Sequence, residues 1–129
     1  MSSQPEPAAV AIARAHVEAW SNHNFGAARR SLASDVHVTA TTTMTGAPST
    51  DLTGVEDYMI GLTQFAQVVV PGSARILESV GDERNALLLL TVEADFGGGK
   101  ATSPAARLYL LDANNKIKSE QVVFYVSQE

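Results

Sequence analysis

The sequence predicts an α+β domain, with three N-terminal helices packed on a strongly curved, mainly antiparallel sheet. Three observations carry this expectation. Helical spacing of apolar residues dominates the chain up to Val69, and a period of two dominates from Ala74 onward. The later runs are separated by three short turn sequences, the mark of an antiparallel meander. The length of 129 residues suits one domain with one core and no internal repeat, so residues 1–129 read as a single unit.

The elements follow in order. Residues 1–7, with Pro5 and Pro7, read as a flexible tail. Over 8–21, Ala9, Ala13, His16, Val17 and Trp20 share one helical face. Asn24 caps a short second helix in which Phe25, Ala28 and Leu32 repeat at helical spacing, and Asp35 ends it. From Asp35 the pattern is a strand, with Val36, Val38 and Ala40 opposite His37, Thr39 and Thr41. Threonine suits a strand, and Gly46, Pro48 and Ser49 supply a loop forming the lip of a pocket. "TGVE" at 53–56 reads as a capping box, with Thr53 and Glu56 reciprocally capping a third helix. Its face is Val55, Met59, Leu62, Ala66 and Val69, widened by Tyr58 and Phe65, and Pro71-Gly72 stops it. Strands are expected over 74–80, 86–96, 101–111 and 117–126, joined by "GDERN", "GGGK" and "DANNK".

Composition removes several function classes. The chain is 45% apolar and 18% charged with a formal net charge of −5, which suits a folded globular protein. Its few basic residues are scattered, against nucleic acid or an anionic membrane surface as partner. There is no cysteine, hence neither a disulfide nor a thiolate metal site, which fits a cytoplasmic location. No secretory signal or membrane span is expected, since the longest apolar run, "ALLLLTV", is strand-sized. Three histidines, with His37 of Asp35-x-His37 opposite Val36 and Val38, make a metal site an unattractive reading. "GGGKAT" lacks the P-loop spacing, and neither a nucleophile elbow nor a dinucleotide fingerprint is present, so no cofactor is expected.

The segments "HVEAWSNHNFGAARRSLASDVHV", "DLTGVEDYMIGL" and "RLYLLDANNKIKSEQVVFY", in the order helix, helix, strand, helix, meander, resemble the nuclear transport factor 2-like superfamily. That superfamily has a cystatin-like fold and includes the SnoaL-like cyclases and the ketosteroid isomerases. The resemblance spans about 8–125 and implies a cone-shaped domain with a small-molecule pocket inside it and a homodimer formed through the outer sheet face. It implies pocket positions at Trp20, Val38, Ala40, Tyr58, Met59, Leu62, Val92, Tyr109 and Phe124. Where the isomerases carry a base on the first strand this chain has Ala40, and at their two oxyanion-hole positions it has His16 and Arg107, so isomerase activity by that mechanism is rejected. The carboxylate of the SnoaL-like cyclases matches a position near Val123, which a bulge would move to Glu120. The limonene epoxide hydrolase arrangement of an arginine with two aspartates is not reproduced.

Two residues stand out as candidate catalytic groups. His16 is either a buried histidine held by hydrogen bonds or a ligand-contacting donor. Arg107 lies mid-strand, with Tyr109 and Leu111 on its face, and the resemblance makes this the pocket face. Together they would offer donors to a carboxylate, a carbonyl or a developing enolate. Glu93 and Asp95 are expected to face outward, and Glu120 reads first as a rim charge or a lysine partner, with catalysis as its second reading. Two functions stay open. One is an isomerase, cyclase or dehydratase acting on an apolar, oxygen-bearing or acidic metabolite; the other is a non-catalytic ligand-binding or dimerisation module. Leu108 and Leu110, opposite Arg107, favour a homodimer.

Overall fold

The computed structural model describes residues 6–42, 49–95 and 97–125. The expected tail before Glu6, the lip residues Gly46 and Pro48, and the strand ends Phe96 and Val126 lie outside the described residues. The elements are α1 (Ala8–Ser21), α2 (Phe25–Arg30), β1 (Leu32–Thr42), β2 (Thr50–Thr53), α3 (Val55–Ala66), β3 (Arg75–Gly81), β4 (Asn85–Asp95), β5 (Lys100–Leu111) and β6 (Ile117–Phe124). The six strands form one sheet in the order β2-β1-β6-β5-β4-β3. All neighbours are antiparallel except β1 and β6, whose parallel pairing makes the curved sheet mixed.

Three local expectations are corrected. Leu32 opens β1 instead of extending α2, because Ser31 ends the helix and its carbonyl accepts from the Ile117 amide. Thr53 belongs to β2, which pairs with β1, and the cap of α3 is Gly54 without a side-chain bond. Gly54 has φ 99°, a turn from strand to helix that favours glycine, and Glu56 instead forms a bidentate exposed pair with Arg29 at 2.6 and 3.0 Å. The helix ends at Ala66, and Val69 forms an isolated bridge with Ala94.

Helix α1 lies across β4 and β3, while α3 lies over β1 and β2. Trp20, Val17 and Ala13 of α1, Tyr58 and Leu62 of α3, and Leu88, Leu90, Val92 and Tyr109 of the sheet are buried together in one core. The opposite face of the sheet carries Val80, Leu87, Leu89, Leu108 and Val123, all substantially exposed; Leu110 is partly covered. Leu87 pairs with Leu108 and Val80, and Ala106 with Leu89 and Val123, so these side chains form a continuous apolar patch.

Candidate functional site

A cavity of about 640 Å³ opens between α3 and the inner face of β1, β2, β5 and β6, a size typical of small-molecule sites. Val38, Ala40, Leu52, Leu62, Phe65, Val122 and Phe124 make its wall largely apolar. Its polar lining comes from Tyr58, Arg107 and Glu120, with Asp57, Thr50 and Gln64 beside them.

Glu120 is where sequence and structure part most sharply. It is 2% exposed and faces the cavity, so the reading as a rim charge or lysine partner is wrong. The physical reason is an irregularity in β6: Leu111 pairs with Ile117 but Leu110 with Ser119, leaving Lys118 as an extra residue. Strict alternation from the buried Ile117 would send Glu120 outward; the extra residue turns Glu120, Val122 and Phe124 inward. Val38 and Ala40 of β1 stand beside Glu120 and Val122, which puts the carboxylate one strand away from Ala40.

The carboxylate is bound at both oxygens. Oε2 accepts from Nη1 of Arg107 at 3.0 Å, and Oε1 accepts from the Tyr58 hydroxyl at 2.5 Å. Arg107 sits opposite Val122 and Glu120 opposite Tyr109, so the ion pair runs diagonally across the β5–β6 ladder. The guanidinium is 3% exposed and stacks 4.8 Å from the Trp20 ring centroid, with the Phe65 and Phe124 rings at 5.7 and 5.8 Å. Burial pushes the Glu120 carboxyl up, but the Arg107 charge first, then His16 and the Tyr109 and Tyr58 hydroxyls, outweigh it and hold it below its ordinary range, hence ionised. Burial and the same carboxylate raise the Tyr58 and Tyr109 hydroxyls well above theirs. The Tyr109 hydroxyl is buried beside Glu120 and Arg107, close enough for its dipole to favour the ionised carboxylate but without a well-aligned hydrogen bond to either.

His16 is 1% exposed and does not line the cavity; it stands behind Tyr58. Its Nε2 lies 2.9 Å from the Tyr58 oxygen, and its Nδ1 lies 2.8 Å from Ser31 Oγ and 3.2 Å from the Ala28 carbonyl oxygen. Burial lowers its pKa to about 4, with Glu120 opposing and Arg107 reinforcing the shift, so the ring is neutral at pH 7. The unfolded chain takes up this proton below pH 6.5, whereas the folded chain refuses it until about pH 4. Stability from this residue is therefore complete above pH 6.5 and drains as pH falls, by about 3 kcal/mol at pH 4, at about 1.4 kcal/mol per pH unit. Urea unfolding between pH 7 and 4 should show this slope in the wild-type chain and lack it in His16→Gln.

Of the positions singled out in the sequence, Val38, Ala40, Tyr58, Leu62, Arg107 and Phe124 line the cavity. Trp20, Val92 and Tyr109 are buried in the core and do not line it; Trp20 lies under the Arg107 guanidinium, which faces the open space in its place. Met59 is half-buried against the core and lines a shallower depression with Glu56 and Thr63, since it stands about 100° around the helix from Tyr58. Glu93 bonds Thr102 on the exposed side of the sheet. Among the described residues there is no cluster of three or more metal-binding side chains, and no helix is long and apolar enough to cross a membrane.

No family model matches the chain, and no curated protein matches it in sequence. Solved structures do match in shape. A Kribbella flavida protein superposes with a TM-score of 0.75 at 24% identity, over 91% of this chain and 86% of that one. A Mycobacterium tuberculosis LEH-like epoxide hydrolase superposes at 0.69 and 18% identity, covering 93% and 85%. A second M. tuberculosis protein, in complex with estradiol-17beta-hemisuccinate, superposes at 0.72 and 14% identity, covering 91% and 93%. Other matching structures are described as NTF2-like, cystatin-like, SnoaL-like and ketosteroid isomerase-like. Three helices packed on a curved mixed sheet, with the cavity under the third of them, give this chain the nuclear transport factor 2-like, or cystatin-like, fold.

Proposed function

We propose that the chain binds a small, uncharged, largely apolar molecule bearing an oxygen function, and that Glu120 serves as its general acid–base in an isomerase, cyclase or dehydratase type of proton transfer. The observation that carries this reading is the ionised Glu120 carboxylate set in an apolar cavity wall, fixed by Arg107 and Tyr58. The Tyr58 hydroxyl, kept protonated, is the donor for a ligand oxygen that displaces its bond to Glu120. The apolar cavity supports a largely apolar ligand, and the structural neighbour in complex with estradiol-17beta-hemisuccinate supports only the size and apolar body of that ligand, since the hemisuccinate itself carries a carboxylate.

The pairing of Arg107 weighs against an acidic ligand. A carboxylate entering the cavity would meet Glu120 and Asp57, and could use Arg107 only by taking it from Glu120. A lipophilic ketone should therefore bind at least about tenfold more tightly than the carboxylic acid of the same skeleton, a difference of about 1.4 kcal/mol readable by calorimetry. Equal or tighter binding of the acid at neutral pH would overturn the ligand class. Exchange of the ketone's α-hydrogens in deuterated water, absent without protein, tests the reaction type.

A second reading, ligand binding without catalysis, is favoured by one observation: both oxygens of Glu120 already have partners. Binding with no hydrogen exchange for any ketone that fills the cavity would select it. In either case the exposed leucine patch on the outer sheet face is proposed as the interface with a second copy of the chain. Sedimentation equilibrium should give a homodimer at micromolar concentration, and Leu108→Glu, which places charge at the patch centre, should give a folded monomer.

A further inference from the structure

His16, Tyr58 and Ser31 form a chain of hydrogen bonds leading away from the cavity, and each of the three both donates and accepts. The directions of those bonds follow from counting protons. With Glu120 ionised, Oε1 can only accept, so the Tyr58 proton points at it. The Tyr58 oxygen must then accept from His16, which places the ring proton on Nε2. Nδ1 is left bare and accepts the Ser31 hydroxyl proton at 2.8 Å, although the Ala28 carbonyl oxygen, another acceptor, stands 3.2 Å away.

With Glu120 protonated, every direction reverses. The carboxyl donates to Tyr58, Tyr58 donates to Nε2, and the ring proton sits on Nδ1, where it faces both Ser31 Oγ and the Ala28 carbonyl. The Ser31 proton then turns to the Ala28 carbonyl, 2.8 Å from its oxygen. The two arrangements are opposed by design of the surroundings: Arg107 favours the ionised one, while the Ala28 carbonyl favours the protonated one.

Resting on the reading of Glu120 as an acid–base group, we infer that Ser31, His16 and Tyr58 are a proton wire through which Glu120 exchanges its proton with solvent behind the cavity. Ser31, half-buried at the end of α2, is the outer terminus. One proton passes from water to Ser31 Oγ as the Ser31 proton moves to Nδ1. The Nε2 proton moves to Tyr58, and the Tyr58 proton moves to Oε1. The net result is one proton on Glu120, His16 in its other tautomer and no charge left along the chain; unloading is the reverse. Glu120 is thereby reset from behind the cavity whenever the Tyr58 hydroxyl rests on its carboxylate and not on a ligand oxygen. His16 and Ser31 touch no ligand and are positioning residues. The other ionisable groups packed about the wire are Arg107, beyond Glu120, and Tyr109, whose ring lies 6.0 Å from that of His16.

The tautomer of His16 is the readout, and it is followed by nitrogen NMR on the 129-residue chain labelled at its three histidines. Wild type at pH 7 should carry the proton on Nε2. In Glu120→Gln the amide must turn its oxygen to Arg107, a pure donor, and its N–H to Tyr58; the His16 proton should then sit on Nδ1. Ser31→Ala leaves Nδ1 facing only the Ala28 carbonyl, so this variant, with its cavity intact, should also carry the proton on Nδ1. Glu120, deprived of the Tyr58 bond, should then titrate about one to two pH units higher. An Nε2 tautomer in both variants, with the Glu120 midpoint unmoved in Ser31→Ala, overturns the wire. That outcome leaves the ligand-binding reading standing, just as a failure of ketone exchange leaves the tautomer result standing.

Discussion

Arg107→Ala should lower the unfolding free energy by about 3–5 kcal/mol at pH 7, the range for removing one partner of a buried ion pair. The arginine is buried in the middle of β5 and its only charged partner among the described residues is Glu120, itself 2% exposed. Without the guanidinium, burial is left to act on the carboxyl, whose folded pKa then rises above its unfolded value. The pH dependence changes sign accordingly. In the wild type the folded pKa is depressed, so the Glu120 contribution is present above the unfolded pKa and lost as pH falls through the folded one. In Arg107→Ala the folded pKa is raised, so stability is retained in acid and lost as pH rises. The gap between the two proteins should thus be widest near neutrality and narrow below about pH 4, as measured by chemical denaturation at several pH values. Arg107→Lys should not restore it, because an ammonium cannot reproduce the planar stack on Trp20 while reaching Glu120.

Glu120→Gln should reduce ketone hydrogen exchange by about 10²–10⁴-fold, the usual contribution of a positioned acid–base group, while leaving ketone affinity within a few-fold of wild type. The amide keeps the shape and polarity of the cavity wall but cannot take a proton. A loss confined to binding would instead mean that Glu120 holds the ligand or the fold. Isotope exchange read by mass spectrometry, with calorimetry on the same samples, separates these outcomes.

Most of the fold is legible in the residues themselves. The amphipathic face of α1 and the turn chemistry of "GGGK" and "DANNK" place α1, β4, β5 and β6 within a residue or two of where they lie. Helix α3 is equally plain apart from its two ends: it stops at Ala66, short of Val69, and its cap is misread because "TGVE" satisfies a capping-box pattern while Thr53 is drawn into a ladder with His37. Pairing between distant strands overrode a local signal.

The site is legible in one half and hidden in the other. A polar residue mid-face in α1 and an arginine in the middle of β5 mark His16 and Arg107 as unusual, and both are buried near the cavity. Their roles differ from those their types suggest, since Arg107 is neutralised and His16 stands one residue behind the wall. Glu120 carries the most consequential chemistry and is the residue most easily misread. Its face depends on the extra residue at Lys118, and a bulge depends on how two strands are registered across a turn, which alternation along one strand does not encode.

Periodicity, turn residues and apolar content thus suffice for the helix-and-meander architecture, because each acts through neighbours a few positions apart. Which polar groups meet was decided by the tertiary structure. A carboxylate on β6, a guanidinium on β5, a phenol on α3 and an imidazole on α1 come within hydrogen-bonding distance only when the sheet curves around the helices. Burial then sets their protonation states, and those states, more than the residue types, determine what the cavity can bind and do.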